Sequence, residues 1–224
     1  MTLGRPHLHL RETGSTNDRA RELAAAGAPH GTLVTAAAQT AGRGRQGRRW
    51  SAPPGDALLL SLVLRDWPPL LPLAAGLAVA EVADGQVKWP NDVLLGGRKV
   101  AGVLAEGRPQ EGWAVLGIGL NVAVRPDDLP PDVAGRAATL GRPRAEVPRV
   151  LDEVLRALER TFALPADALL EALRGRDALL GRPLRWAGGE GTGAGLAPDG
   201  RLLVLNTAGD EEALDAGEVH LDLG

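Results

Sequence analysis

Two neighbouring apolar segments constrain the fold of this chain more than any other feature of its sequence. Residues Ala57–Leu64 form a nearly unbroken apolar run whose length is typical of a buried strand. Leu70–Ala83 then carries apolar side chains nearly all round a helix, a pattern typical of a buried helix. Because both segments are too short to cross a bilayer, we expect them to form the core of a globular domain.

Shorter elements are predicted on either side of this pair. The residue patterns predict strands at Leu8–Leu10, Thr32–Ala38, Gln86–Lys88, Val93–Leu95, Lys99–Ala105 and Trp113–Ile118, and helices at Asn17–Ala26, Val147–Phe162 and Pro165–Gly175. The proline-rich stretch 124–148 is typical of a surface excursion. From Gly181 onward, short Gly-rich strands predict a small all-β unit that should pack on the main domain. We therefore divide the chain into a main domain, 1–176, and a small β domain, 177–224.

Charge and cysteine content exclude several functional classes. The formal net charge is −3, so the chain as a whole has no attraction for nucleic acid or for an anionic membrane. The absence of cysteine excludes disulfides, thiol nucleophiles and Cys-ligated zinc, and it fits the reducing cytoplasm in which we expect the protein to act. The first ten residues lack the apolar run of a signal peptide. The four histidines show no zinc spacing, so no metal ligands are predicted.

The choice of cation along the chain is unusual. Of its 25 cationic residues, only Lys88 and Lys99 are lysines, and all the others are arginines. Lysine is a compact point charge and arginine a planar fork, so the two are not equivalent at a site of tight geometry. Either the two lysines are chance survivors, or at least one of these positions requires an ammonium group.

A loop rich in glycine and arginine extends over 42–50. Its glycines let backbone N–H groups approach an anion, and its four arginines are forked donors for phosphate or carboxylate. The loop matches neither a Walker A sequence nor a dinucleotide-binding fingerprint. By itself it is compatible with a nucleic-acid contact, with a small-anion site that orders on binding, or with a solvated basic loop.

Two further segments combine polar residues with predicted element ends. Ser15 to Asp18 lies at a predicted helix start, where the same groups serve either as a helix cap or as a site for a polar ligand. Ser15 has no evident His and Asp partners, which argues against a hydrolase nucleophile. The segment 117–121 ends a strand with two glycines and Asn121, and these glycines allow close backbone approach.

The segment 88–106 contains both lysines. Asn91 and Asp92 follow a proline, as in many turns, and a Gly-Gly pair then predicts a hairpin. Strand alternation predicts that Lys99 shares a face with Ala101 and Val103. A lysine that points to an inner face is costly unless an anion meets it, so Lys99 is the candidate for contact with an anionic substrate.

Along the chain, the four polar segments are 15–18, 42–50, 88–106 and 117–121. Taken together in this order, they resemble the biotin–protein ligase family over about the first three quarters of the chain. The resemblance implies an α+β fold, with a mixed-sheet catalytic domain flanked by helices and a small SH3-like β-barrel that here ends in 216–219. The residues it implies for biotin binding are Ser15, Thr16, Asn17, Gln39, Arg43, Gly44, Arg45, Lys99 and Gly102. Those it implies for nucleotide binding are Arg48, Trp50, Asn91, Asp92 and Asn121, and the catalytic residues are Lys99, Arg45 and Arg48.

The same resemblance implies a reaction and its participants. ATP and biotin are the expected substrates, with Mg²⁺ accompanying ATP, and the product biotinyl-5′-AMP passes its acyl group to a lysine of a biotin carboxyl carrier protein. Many relatives carry an N-terminal helix-turn-helix domain that is not seen here, so we expect no specific DNA binding. We expect no membrane association either, and a homodimer is compatible with the resemblance. Two alternatives stay open: a lipoate or octanoate–protein ligase, and a nucleic-acid-binding module that uses the arginine-rich loop.

Overall fold

A computed structural model of the chain describes residues 2–215 and 219–221. The strands are β1 His7–Leu10, β2 Leu33–Ala36, β3 Ala57–Leu64, β4 Gln86–Lys88, β5 Asp92–Leu95, β6 Arg98–Arg108, β7 Trp113–Asn121, β8 Pro183–Trp186, β9 Gly189–Leu196, β10 Leu202–Asn206, β11 Glu211–Leu214 and β12 Val219–Leu221. The helices are α1 Thr16–Ala25, α2 Leu71–Ala83, α3 Pro131–Ala134, α4 Val147–Phe162 and α5 Ala166–Arg174. The predicted strands and helices are confirmed, with their ends shifted by a few residues.

Seven strands form the main sheet, in the spatial order β1-β2-β3-β7-β6-β5-β4. β1 and β2 are parallel, and the remaining neighbours are antiparallel. Helices α2 and α4 pack on one face of the sheet, and α1 packs on the other face against β3 and β7. A mixed sheet covered by helices buries apolar side chains on both faces, and it confirms the predicted α+β fold.

Strand β3 explains why the first apolar segment has no alternating pattern. Leu58, Leu60, Leu62 and Leu64 belong to the core cluster that contains α2 and α4, whereas Val63 packs with α1 on the other face. Successive side chains of a strand point to opposite faces, so a strand covered on both sides needs apolar residues at every position. All eight residues of β3 are buried, as the sequence predicts.

A β-bulge in β6 corrects the prediction for Lys99. Simple alternation places Lys99 on the face of Ala101 and Val103, but the pairing with β5 slips by one residue at Val100. Ala101 and Val103 belong to the core cluster on the α2 face. Lys99 lies on the opposite face, together with Gly102. A Cβ added to Gly102 would lie 3.3 Å from Lys99 Nζ. The predicted face was therefore wrong, because a bulge breaks the period of two.

The proline-rich stretch 124–148 is attached to the main sheet more firmly than predicted. Leu129 and Ala137 are buried in a small apolar cluster with Leu59 of β3. The backbone N–H of Lys99 also donates to the carbonyl oxygen of Arg136 at 2.8 Å. The expectation of a surface excursion is wrong for this part of the segment, because apolar residues between the prolines anchor it beside β6.

Strands β8 to β12 form a second antiparallel sheet in the order β11-β10-β9-β8-β12. This sheet fits the predicted barrel-like C-terminal domain. Leu184, Leu202 and Val204 join the same apolar cluster as β3 and α2, so the small unit packs on the main domain, as predicted. Of the predicted end 216–219, residues 216–218 lie outside the described residues. The domain boundary after residue 176 stays a prediction.

Candidate active site

A cleft opens on the α1 face of the main sheet, beside the first turn of α1. Its walls come from that turn, from the arginine-rich loop, from the turn between β4 and β5, from β6 and β7, and from Val219 of β12. We call this cleft the pocket. It brings all four polar segments of the sequence together, although they are far apart along the chain.

One end of the pocket is formed by mutually hydrogen-bonded polar side chains. The backbone N–H of Thr16 donates to Gln39 Oε1 at 2.7 Å, and the Thr16 hydroxyl donates to the same oxygen at 3.0 Å. Ser61 Oγ lies 2.8 Å from Thr16 Oγ1 and donates to Asn17 Oδ1 at 2.6 Å. We call these four residues the polar floor. Since three of them are at most 4% exposed, their positions are fixed before any ligand arrives.

The helix start and a glycine of β7 together position Asn17. Ser15 is the N-cap residue of α1, as predicted, but its side chain makes no capping hydrogen bond, and Gln39 takes the Thr16 N–H instead. Asn17 lies directly over Gly117, where an added Cβ would overlap the Asn17 amide. Only glycine at this position of β7 leaves room for the amide.

The opposite end of the pocket gathers positive charge. Lys99 Nζ lies 2.6 Å from Asp92 Oδ1, an ion pair without the alignment of a hydrogen bond. Arg45 donates to Asn91 Oδ1 at 3.2 Å, which draws the loop toward the turn between β4 and β5. Among the described lining residues, Asp92 is the one carboxylate. We call this set the cation end: Lys88, Lys99, Arg45, Arg48 and Asp92.

The surroundings of Lys88 at the cation end disfavour its positive charge. Burial lowers its pKa, and the nearby cations Lys99, Arg48 and Arg136 lower it further, while Asp92 acts in the opposite direction. A lowered lysine pKa means that the surroundings disfavour the ammonium form. An anionic ligand in the pocket would relieve this cost.

The Trp50 ring packs on a part of the sheet that is formed by glycines. Gly102 and Gly119 are direct cross-strand partners, and a Cβ on Gly119 would lie 2.5 Å from Cε2 of Trp50. Lys99 Nζ lies 5.7 Å from the centre of the Trp50 ring, within the range of a cation–π contact. Nε1 of Trp50 is buried over Gly119 and has no hydrogen-bond partner among the described residues.

The arginine-rich loop folds as a short hairpin over the pocket. The Gly44 N–H donates to Arg48 O at 2.7 Å, and the Trp50 N–H donates to Gly42 O at 3.0 Å. Arg43 donates to Asp18 Oδ1 at 2.7 Å, and Asp18 holds the pKa of the Arg43 guanidinium above its usual value. The segment has more local structure than the loop predicted from its sequence.

Most of the predicted site residues line the pocket. The lining ones are Thr16, Asn17, Arg43, Gly44, Arg45, Arg48, Trp50, Asn91, Asp92, Lys99 and Gly102. Three others lie just behind its walls. Ser15 is buried at the start of α1, Gln39 supports Thr16, and Asn121 donates to Ala138 O at 2.9 Å.

Three residues of the site were missed or assigned differently from the sequence. Ser61 completes the polar floor, and its signal was a lone hydroxyl in an otherwise apolar run. Lys88, which was not among the residues predicted for the site, lines the pocket itself. Glu106, at the end of the motif that contains Lys99, accepts from Asn17 Nδ2 at 2.8 Å. No local sequence signal distinguishes Glu106 from an ordinary strand-end carboxylate.

Within residues 2–215 and 219–221, no group of three His, Asp or Glu side chains is arranged to hold a metal ion. Over the same residues, no helix has both the length and the apolar character needed to cross a membrane.

Both a protein family and individual proteins are similar in sequence to this chain. The model of the biotin/lipoate A/B protein ligase family matches residues 10–122. The bifunctional ligase/repressor BirA of Bacillus subtilis is 39% identical over 165 residues, which cover 66% of this chain and 51% of that protein. The chain thus spans about half the length of this relative. The biotin–[acetyl-CoA-carboxylase] ligase of Mycobacterium tuberculosis is 37% identical, over 94% of this chain and 87% of that protein.

Solved structures give a similar picture for the fold. A biotin protein ligase from Aquifex aeolicus, in complex with biotin and ATP, superposes with a TM-score of 0.81 and 30% identity. The superposition covers 97% of this chain and 98% of that one, so both the main sheet and the small β unit have counterparts. A biotin protein ligase from Leishmania major in complex with biotinyl-5-AMP has a TM-score of 0.65 at 24% identity, over 95% of this chain and 99% of that chain. This second structure supports the fold alone.

Proposed function

The chain belongs to the biotin/lipoate A/B protein ligase family, and we propose that it activates biotin with ATP and transfers it to a lysine of a carrier protein. The first half-reaction would yield biotinyl-5′-AMP and pyrophosphate. The second would yield an amide and AMP. The carrier we propose is the biotin-bearing domain of a carboxylase, because the M. tuberculosis relative is named for that acceptor.

One observation carries this proposal: the pocket joins a neutral hydrogen-bonding end to a positively charged end. Biotin has the same division, with a neutral ureido head and a carboxylate tail. The polar floor offers hydroxyl and amide groups at fixed positions for the head. The cation end offers lysine and arginine side chains where the carboxylate would meet the phosphates of ATP.

Adenylation requires two anions to approach each other. The biotin carboxylate must attack the α-phosphate of ATP while its negative charge is balanced, and positioned cations supply most of that stabilisation. Lys99 is the residue we assign to both groups, since its Nζ lies close to Asp92 and to the Trp50 ring at the cation end of the pocket. Arg45 and Arg48 would bind the phosphates from the loop side. No protein nucleophile is needed, which fits the absence of cysteine.

Trp50 is our candidate for contact with the nucleotide. Its ring lies across Gly102 and Gly119, and its buried Nε1 has no partner among the described residues. A large π surface suits a purine base. Asn91, on the facing turn, would lie beside the phosphates, and the neighbouring Asp92 would reach them through Mg²⁺. Asn121, behind the pocket wall, would support this side.

Magnesium would accompany ATP as part of the substrate. Asp92 fits such an ion, because it is the one carboxylate in the described lining and carboxylate oxygens are preferred ligands of Mg²⁺. When bound, the ion would neutralise phosphate charge. The chain's own lysines and arginines would still position the reacting groups.

Transfer needs access for a second lysine, that of the carrier. The attacking amine adds to the acyl carbon of biotinyl-5′-AMP, AMP leaves, and the amine loses a proton. The arginine-rich loop and the turn between β4 and β5 form two walls of the pocket, and the Arg45–Asn91 hydrogen bond links them. We propose that the carrier lysine enters between these two walls.

Isotope exchange between labelled pyrophosphate and ATP tests the first half-reaction. We expect exchange that depends on biotin and is absent with lipoate, a matched carboxylic acid with a different head. Equal or faster exchange with lipoate would reassign the protein to the lipoate branch of the family. Exchange with neither acid would refute the proposal.

A further inference from the structure

Arg43 differs from the other arginines of the loop in what it contacts. Its guanidinium lies 2.7 Å from Asp18 Oδ1, on the first turn of α1, and 3.1 Å from Glu106 Oε1, on β6. The two carboxylates belong to α1 and β6, whereas Arg43 belongs to the loop that covers the pocket. One loop residue is thus attached to two separate elements at the pocket rim.

These two contacts pair the positive charge of Arg43 with carboxylates of the protein itself. Two carboxylates on one guanidinium satisfy its forked donors, so little of its positive charge is directed toward a bound anion. By contrast, Arg45 contacts a neutral amide at Asn91 and keeps its full charge at the cation end. The arrangement assigns Arg43 a mechanical task rather than a share in binding phosphate or carboxylate.

We propose that Asp18 and Glu106 are positioning residues that hold the arginine-rich loop closed through Arg43 and so set how long the acyl-adenylate stays bound. The inference rests on the proposed function, since it concerns retention of that intermediate. An intermediate released before transfer would hydrolyse or acylate other amines. A loop that stays closed until the carrier docks prevents this loss.

Glu106 connects this closure to the polar floor. Its Oε2 accepts from Asn17 Nδ2 at 2.8 Å while its Oε1 contacts Arg43. Asn17 and Arg43 of the loop are therefore bound to the same carboxylate, that of Glu106. A ligand that hydrogen-bonds to Asn17 contacts one of these two partners directly. Asp18 has no such link, because its described contacts are to Arg43 and Arg21.

This difference makes Asp18→Asn the cleaner test. Asp18 is 41% exposed, so its pair with Arg43 should contribute modestly, whereas Glu106 is 23% exposed and should contribute more. We expect the dissociation rate of preformed, labelled biotinyl-5′-AMP to rise about threefold in Asp18→Asn and about tenfold in Glu106→Gln. Glu22→Gln, on the same helix but paired with Arg19, is the matched control and should leave the rate unchanged.

The experiment is a chase of the labelled intermediate by excess unlabelled biotin, in parallel with pyrophosphate exchange. Faster release in Asp18→Asn with an exchange rate close to wild type would support positioning, because general damage to the pocket would also lower the exchange rate. Unchanged release in both variants would overturn the inference.

A second measurement does not depend on the reaction. Trypsin cleavage within 43–49 of the ligand-free protein should be faster in Asp18→Asn than in the wild type and in Glu22→Gln. Equal cleavage in all three would count against closure by Asp18. If the wild type shows no biotin-dependent exchange, the proposed function fails, and the cleavage rates still decide whether these carboxylates hold the loop.

Discussion

The two ends of the pocket differ in how their polar groups are satisfied. At the polar floor, Thr16, Asn17, Gln39 and Ser61 hydrogen-bond to one another and are largely buried. At the cation end, Asp92 is the one carboxylate among several lysines and arginines in the described lining. At the polar floor, nearly all hydrogen bonds are formed without a ligand. The cation end instead carries an excess of positive charge that an anionic ligand must balance.

This difference separates recognition from chemistry. A pre-organised set of neutral groups discriminates between ligands by shape and hydrogen bonding, since any mismatch leaves buried groups unpaired. An excess of positive charge at fixed positions stabilises the negative charge of a transition state. Substitutions at the two ends should therefore change different kinetic parameters.

The largest expected effect is at the cation end, in Lys99→Ala. Loss of this ammonium should lower the rate of biotin-dependent pyrophosphate exchange about a hundredfold or more, because the approaching carboxylate and phosphate lose their shared cation. The fold should persist, since the Lys99 side chain is 37% exposed. Exchange at a near-normal rate in a folded variant would show that Lys99 has no such role.

A smaller and different effect is expected at the floor, in Ser61→Ala. The change removes the buried hydroxyl that contacts Thr16 Oγ1 and Asn17 Oδ1, so the KM for biotin should rise about tenfold, equivalent to roughly 1.4 kcal/mol. The KM for ATP should stay near the wild-type value. Ser51→Ala, at an exposed serine, is the control. A rise in the KM for ATP alone would break the division between the two ends.

The smallest expected effect concerns stability, in Lys88→Met. The lowered pKa of Lys88 means that its charge destabilises the free protein, so removing the charge should stabilise it by about 1 kcal/mol at neutral pH. Below the folded-state pKa the lysine is charged in both the folded and unfolded states, and the cost is fully present. The cost disappears as the pH rises from that value to the ordinary lysine value, since both states then become neutral.

Urea denaturation at several pH values measures this gain. Lys88→Arg retains the charge and serves as the control, so it should not be stabilised. At neutral pH the Lys88→Met variant should be more stable yet have a higher KM for ATP. A loss of stability at neutral pH would contradict the electrostatic interpretation.

The sequence predicted the fold well where the pattern was continuous. The apolar runs at 57–64 and 70–83 form the buried strand β3 and the helix α2 because burial on all sides leaves a strong compositional signal. The face on which Lys99 lies was predicted wrongly. A single unpaired residue at Val100 reverses the alternation, and nothing in the local composition of β6 marks that bulge.

The site was predicted in part for a related reason. Residues within recognisable segments, such as Asn17 and Trp50, line the pocket. Ser61 and Glu106 act through contacts with residues 44 and 89 positions away along the chain, and a local pattern carries no information about such partners. The same holds for Lys88, whose burial and cationic neighbours arise only when the sheet is assembled.

The division of the pocket can be tested most directly with two glycines of β7. A Cβ on Gly117 would displace the Asn17 amide, whereas a Cβ on Gly119 would displace the Trp50 ring, although both glycines lie on the same face of one strand. Gly107→Ala, where the added Cβ would meet only Pro109 Cδ at 3.8 Å, is the control. Thermal unfolding of each variant would confirm that it is folded.

The decisive measurement is the KM of each variant for biotin and for ATP in the pyrophosphate exchange reaction. We expect Gly117→Ala to raise the KM for biotin with little change for ATP. We expect Gly119→Ala to raise the KM for ATP with little change for biotin. If both variants shift the two KM values together, or if the pattern is reversed, the two ends of the pocket do not bind the parts of the substrates that we assign to them.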